Sequence, residues 1–196
     1  MDQLNRREAL PAALRFTGQE LTLTAEMVDF HFGEIARMSQ QIDETPSAEL
    51  YFARAIEFAI IKDFASAIDD ATKAILLADR DLEVILCFCR ANWRYNLMDG
   101  DNELILRDLE QVLRLQPDFT FALYNKANIL CAQREYTTAI TYYTKAIQQD
   151  ADFAEAYFNR GLTYVFIGEN EKGLADLSKA GELGIYQAYN LITRFK

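Results

Sequence analysis

Four times along this chain a basic residue is followed directly by a small one: Arg54–Ala55, Arg90–Ala91, Lys126–Ala127 and Arg160–Gly161. The small residues stand 36, 36 and 34 positions apart. Recurrence at a near-constant period of this size marks a repeat architecture and takes precedence over any local feature. A second set follows the first. Ala67, Ala139 and Gly173 lie 12 residues beyond Ala55, Ala127 and Gly161. In the second unit Ile105 takes that place, 14 beyond Ala91, and the turn "LMDGDNE" absorbs the two extra residues; its Gly and Asp tolerate a longer loop. Seven positions further come Ala74, Val112, Ala146 and Ala180, with Ala71, Leu109, Tyr143 and Leu177 between.

Spacings of three, four and seven place these residues on one face of a helix. Each unit therefore predicts two helical segments joined by a short polar turn: "KDF", "REY" or "GEN". A single helical hairpin cannot bury both of its faces, and stacking the next one against it does. The small residues at 55, 91, 127 and 161 then mark close helix crossings, where a large side chain would force the helices apart. Only 8 Gly and 3 Pro occur in 196 residues, punctuation too sparse for a hairpin-rich β fold.

The repeat resembles the tetratricopeptide repeat, whose pattern is aromatic, x2, Leu, small, x2, aromatic, then Ala, x3, aromatic, with a Pro near the end. The last unit carries it with Tyr157, Gly161, Tyr164, Gly173, Leu177 and Ala180. The third carries it with Leu123, Ala127, Leu130, Ala139, Tyr143 and Ala146, and the first with Tyr51, Ala55, Phe58, Ala67, Ala71 and Ala74. The second is weakest, with Cys87 and Arg94 where aromatics are usual. Only Pro117 matches the terminal Pro.

The resemblance implies an all-α, right-handed α-solenoid of four helical hairpins, about 48–83, 84–119, 120–153 and 154–184. Helical caps close both ends. At the N-terminal side Val28, Phe32, Ile35, Met38 and Ile42 recur at helical spacing, giving a capping helix within residues 1–47. Pro11 and Gly18 interrupt any long helix over residues 1–23, for which a remnant of an earlier repeat is one reading. At the other end, residues 185–196 carry Ile185, Ala188, Tyr189, Ile192 and Phe195. Terminal repeats need such a cap; a partner-binding helix is the alternative.

The resemblance also implies function: a non-catalytic scaffold that holds a peptide or protein segment in the concave groove lined by the first helix of each unit. The groove positions it implies are Phe52, Phe88, Asn92, Tyr95, Tyr124, Asn125, Asn128, Phe158, Asn159 and Leu162. Asn offers a donor and an acceptor to an extended backbone, and aromatics offer area at low entropic cost. These positions hold no Lys or Arg, which argues against the carboxylate clamp of some family members. The alternative function is an assembly, self-association or regulatory module of a larger protein, for which a homo-oligomer is one form.

Family members commonly have Leu where Arg54, Arg90, Lys126 and Arg160 stand. Asp70, Asp108 and Asp176 in the second helices lie where Arg54, Arg90 and Arg160 reach them. The expectation is an ion pair within each of these hairpins, its Arg stem covering apolar surface. In the unit with Lys126, Tyr142 stands at the position of those Asp residues instead.

Other chemistries find little footing. A net charge of −10 argues against a nucleic-acid surface. Cys87, Cys89 and Cys131 are an odd count, read as reduced buried thiols rather than a disulfide framework. His31 is the one histidine and reads as structural. No ligand set for a metal emerges, no Gly-rich phosphate loop appears, and no cofactor or enzymatic activity is expected. The opening residues lack the apolar core of a signal peptide, and no apolar run is long enough to span a bilayer. Those features fit a cytoplasmic protein, or a fragment of a longer or exported one.

Overall fold

A computed structural model describes residues 23–97 and 101–195; the readings of residues 1–22 and of the turn centre at 98–100 fall outside them. Every regular element among the described residues is an α-helix. The described residues form two compact units, divided between Gln116 and Pro117. The first holds α1 (Ala25–Glu44), α2 (Ala48–Ile60), α3 (Phe64–Ile75), α4 (Arg80–Asn96) and α5 (Asn102–Leu115). The second holds α6 (Thr120–Ala132), α7 (Tyr136–Gln149), α8 (Ala154–Phe166), α9 (Asn170–Glu182) and α10 (Gln187–Phe195). In each unit consecutive helices pack in series, which is the all-α helical-repeat solenoid class. No described helix is long and apolar enough to cross a membrane.

Short side chains start the helices of the first unit. Thr24, Ser47, Asp63, Asp79 and Asp101 each accept a hydrogen bond from a backbone N–H in the first turn of the following helix. Such caps satisfy donors that the helix itself leaves open. The Asp79 cap corrects one boundary. The second hairpin begins at Arg80 rather than at residue 84, because Asp79 accepts from Leu82 N and secures an extra turn.

Three hairpins turn in the same way. Lys62, Arg134 and Gly168 have φ of 64°, 66° and 84°. The next N–H reaches back over the turn: Asp63 N to Phe58 O, Glu135 N to Leu130 O, and Glu169 N to Tyr164 O, at 2.8–2.9 Å. One left-handed residue closes the helix and turns the chain toward its partner helix. Sequence pattern located these turns but not the left-handed position, since only one of the three is Gly.

Burial follows the repeat. Ala55, Ala91, Ala127 and Gly161 are buried, as are Ala67, Ile105, Ala139 and Gly173 opposite them. In the last hairpin the two glycines meet. A methyl group on Gly173 would sit 2.7 Å from Val165 Cγ2 and 2.8 Å from the Gly161 carbonyl oxygen. Elsewhere large side chains fill the layers: Leu86, Trp93, Ile105 and Leu109 in the first unit, Phe119, Tyr143 and Leu177 in the second.

Two substitutions separate backbone propensity from packing. At an open helix position Gly→Ala gains about 1 kcal/mol. Gly173→Ala is expected to lose stability instead, by about 1–3 kcal/mol, because the added methyl overpacks the crossing. Arg134→Gly is expected to gain roughly 1 kcal/mol by relieving the left-handed backbone. Urea unfolding of both variants beside wild type measures the opposite signs.

Candidate functional site

The geometry of the first helices is set by their arginines. Arg54 on α2 donates from Nε to Asp70 Oδ2 at 2.6 Å and from Nη2 to Asp70 Oδ1 at 2.8 Å. Arg90 on α4 makes the same fork to Asp108 at 3.1 and 2.7 Å. Arg160 on α8 makes it to Asp176 at 2.7 and 2.8 Å. Planar guanidinium against carboxylate is the geometry in which two parallel bonds form at once. Each Arg also has a third anchor. Its Nη1 donates to a hydroxyl on the preceding helix: Ser39 on α1 at 2.8 Å, Thr72 on α3 at 3.0 Å, Thr144 on α7 at 2.9 Å. One side chain therefore ties three successive helices.

Aromatics complete the seat. The Arg54 guanidinium lies 5.8 and 5.9 Å from the Tyr51 and Phe58 ring centres, and that of Arg160 lies 5.5 and 6.0 Å from Tyr157 and Tyr164. Bonding to Asp70 holds the Arg54 charge above its ordinary pKa. Burial works against the Arg160 charge, and Asp176 with the two tyrosines more than restores it. The second hairpin lacks the aromatics and substitutes Arg94, whose Nη1 donates to Asp108 Oδ2 at 2.5 Å and to the Leu104 carbonyl at 3.2 Å. Burial pulls the pKa of Arg94 down, against the pull of Asp108. In the third hairpin Lys126 and Lys145 place their ammonium groups 4.8 and 5.2 Å from the centre of the Tyr142 ring.

The residues assigned to a groove by resemblance divide into three groups. Phe88 and Asn92, each 2% exposed, and Asn125, 3% exposed, are buried. This corrects their assignment: they offer a ligand almost no surface, since α4 and α6 are covered more completely than an amphipathic helix would be. Phe158 and Leu162 are half-buried and pack on the Leu177, Ala180 and Ala188 cluster with Leu191 and Ile192, so much of their surface is already used by α9 and α10. Phe52 is half-buried, and Tyr95 is 53% exposed. The third group is a polar network on α6 and α8. Asn159 Nδ2 donates to Tyr124 Oη and to Asn128 Oδ1, both at 2.9 Å. Tyr143 Oη donates to the same Asn128 oxygen at 2.6 Å. Among the described residues, Asn128 Nδ2 and Asn159 Oδ1 have no partner.

His31 Nδ1 and Glu57 Oε2 are 2.5 Å apart and join α1 to α2. Their separation of 26 residues hid this partner from sequence reading. Burial, with Asp108 nearby, pushes the Cys87 thiol up to about 12, and burial raises that of Cys89 as well. Among the described residues no three His, Cys, Asp or Glu side chains gather as a metal site.

Comparison with known proteins places this geometry. Residues 127–168 match a model described as TPR repeat, and 154–183 one described as tetratricopeptide repeat. A UDP-N-acetylglucosamine–peptide N-acetylglucosaminyltransferase of Giardia intestinalis is 33% identical over 87 residues, which are 44% of this chain and 6% of that protein. The Hsp70-Hsp90 organizing protein 2 of Arabidopsis thaliana is 30% identical over 84 residues, 43% of this chain and 15% of that one. The chain thus spans a small part of either relative. Among solved structures, YrrB, titled a TPR protein with an unusual peptide-binding site, superposes with a TM-score of 0.70 at 20% identity, covering 85% of each chain. At that identity the likeness shows the fold alone.

Asp70 is almost fully enclosed, with 2% of its surface exposed. Asp70→Ala strands a partly buried guanidinium and is expected to cost about 3 kcal/mol. Arg54→Met combined with Asp70→Leu removes both charges and is expected to cost less than about 1.5 kcal/mol. Urea unfolding of the two variants measures the difference. Thiol labelling at pH 8 supplies a second check. A thiol titrating near 12 is almost wholly protonated there, and the thiolate is the reactive form. Cys87 and Cys89 are expected to resist an alkylating reagent in the native protein and to react on unfolding.

Proposed function

Starting from membership of the tetratricopeptide-repeat family, we propose that this chain is a non-catalytic protein-interaction scaffold. It holds an extended partner segment against α6 and α8 of the second unit, through Tyr124, Asn128 and Asn159. The observation that carries this reading is the network on those two helices. Tyr143 and Asn159 occupy the Asn128 oxygen, and Tyr124 and Asn128 occupy the Asn159 nitrogen. Both amides are thereby oriented. They present one open donor, Asn128 Nδ2, and one open acceptor, Asn159 Oδ1. A peptide unit supplies the complement, a carbonyl and an N–H.

Preorganisation favours this use. Side chains already held in place lose little freedom when a ligand arrives. Tyr143 is buried at 1% exposure and anchors the network from inside the hairpin. Tyr124 packs beside Phe153, with ring centres 4.8 Å apart and planes tilted by 42°, so its ring is held as well. Exposed Tyr95 and half-buried Phe52 on the first unit are retained as partner-facing positions. Buried Phe88, Asn92 and Asn125 are supports beneath the surface. The peptide-binding reading of YrrB belongs to that protein and lends this proposal a precedent in the same fold.

Affinity capture from the source cell, with wild type beside Asn128→Ala/Asn159→Ala, tests the proposal. Each lost hydrogen bond is worth about 1 kcal/mol, so the double variant is expected to weaken partner affinity by roughly 30-fold. Circular dichroism confirms that the variant is folded. Undiminished capture by the folded variant would rule this site out.

A further inference from the structure

A cleft of about 410 Å³ opens on the first unit, lined by Leu82, Val84 and Ile85 of α4 together with Glu49, Asp79, Asp81 and Gln116. Its volume falls within the range of small-ligand clefts, about 300–1,000 Å³. The wall is aliphatic, and the polar lining is three acids and Gln116, with no Lys or Arg in it. The acids taken singly have ordinary explanations. Asp79 caps α4, and Glu49 and Asp81 stand in first turns, where negative charge is favoured. Helix starts do not explain why all three converge on one apolar-walled cleft with no cation to balance them. Arg80, beside them in sequence, is turned to the Leu115 carbonyl at 3.3 Å. Glu83, on the same turn, is bonded to Gln111. Among the described residues Glu49 and Asp81 have no hydrogen-bond or ion-pair partner.

We infer that this cleft receives a basic side chain from a partner polypeptide. The aliphatic stem of a Lys or Arg lies on Leu82, Val84 and Ile85, and its charged head reaches Glu49 and Asp81. Long basic side chains combine these two halves, an apolar stem and a cationic tip. Charge complementarity selects this occupant: an acidic or phosphorylated segment would be repelled, and a purely aliphatic one would leave the carboxylates unanswered. The inference concerns the first unit and stands independently of the Asn128–Asn159 site on the second.

The probe is a capped pentapeptide, acetyl-Ala-Leu-Lys-Leu-Ala-amide, with versions carrying Glu or norleucine in place of Lys. Binding is read by calorimetry against wild type, Glu49→Gln/Asp81→Asn, Leu82→Ala and a control, Glu171→Gln/Glu182→Gln, that removes the same charge on α9. The Lys peptide is expected to bind wild type at least about tenfold more tightly than either other peptide. Glu49→Gln/Asp81→Asn, which alters exposed side chains only, is expected to lose about tenfold, as is Leu82→Ala, with the α9 control within about twofold of wild type. Equal loss in the control would reduce the effect to overall charge and overturn the inference. So would indifference to the central residue of the peptide, or absence of binding to wild type. Asn128→Ala/Asn159→Ala is expected to bind this probe normally, so failure of one site leaves the other testable.

Discussion

A guanidinium that reaches three helices at once is the constraint on which the rest of this structure depends. Arg160 stands on α8, forks onto Asp176 of α9 and reaches back to Thr144 of α7. Helix crossings at small residues alone leave two helices free to slide along each other. Paired N–H···O bonds resist sliding, because moving either helix breaks both together. The hydrophobic layers supply the driving force for stacking. The arginines fix the register in which stacking happens. Their cost is the dehydration of charge, which is tolerable here because the carboxylate, the hydroxyl and flanking rings satisfy the fork.

That register has a functional consequence. Asn159 precedes Arg160 directly on α8, so whatever positions the arginine positions the amide. The Asn159 nitrogen then finds Tyr124 and Asn128 on α6. The scaffold and the proposed recognition surface are thus two faces of one helix turn. The cleft on the first unit has the same dependence: Asp79, which caps α4, both sets where that helix begins and lines the cleft.

Much of this was legible in the sequence. Period, helix faces and hairpin turns follow from the spacing of small and apolar residues, because a stacked repeat must present the same crossing at each step. The recurrence of Arg where Leu is common pointed to Asp70, Asp108 and Asp176. The hydroxyls of Ser39, Thr72 and Thr144 were not legible, since a lone Ser or Thr in a helix carries no signal of its own. Arg94 looked like a departure from pattern, and only the fold shows it sharing Asp108 with Arg90. The groove assignment failed at Phe88, Asn92 and Asn125 for a physical reason. A face that a family pattern marks as outward is covered when its neighbours pack closely, and spacing cannot report that closeness.

Native-state hydrogen exchange on Asp176→Asn tests most directly whether the arginine couples three helices. The substitution keeps the shape and removes the charge that holds the fork. If Arg160 couples the helices, protection falls together along the end of α7 near Thr144, along α8 and along α9. Loss of protection confined to α9 around position 176, with α7 and α8 unchanged, would contradict the account.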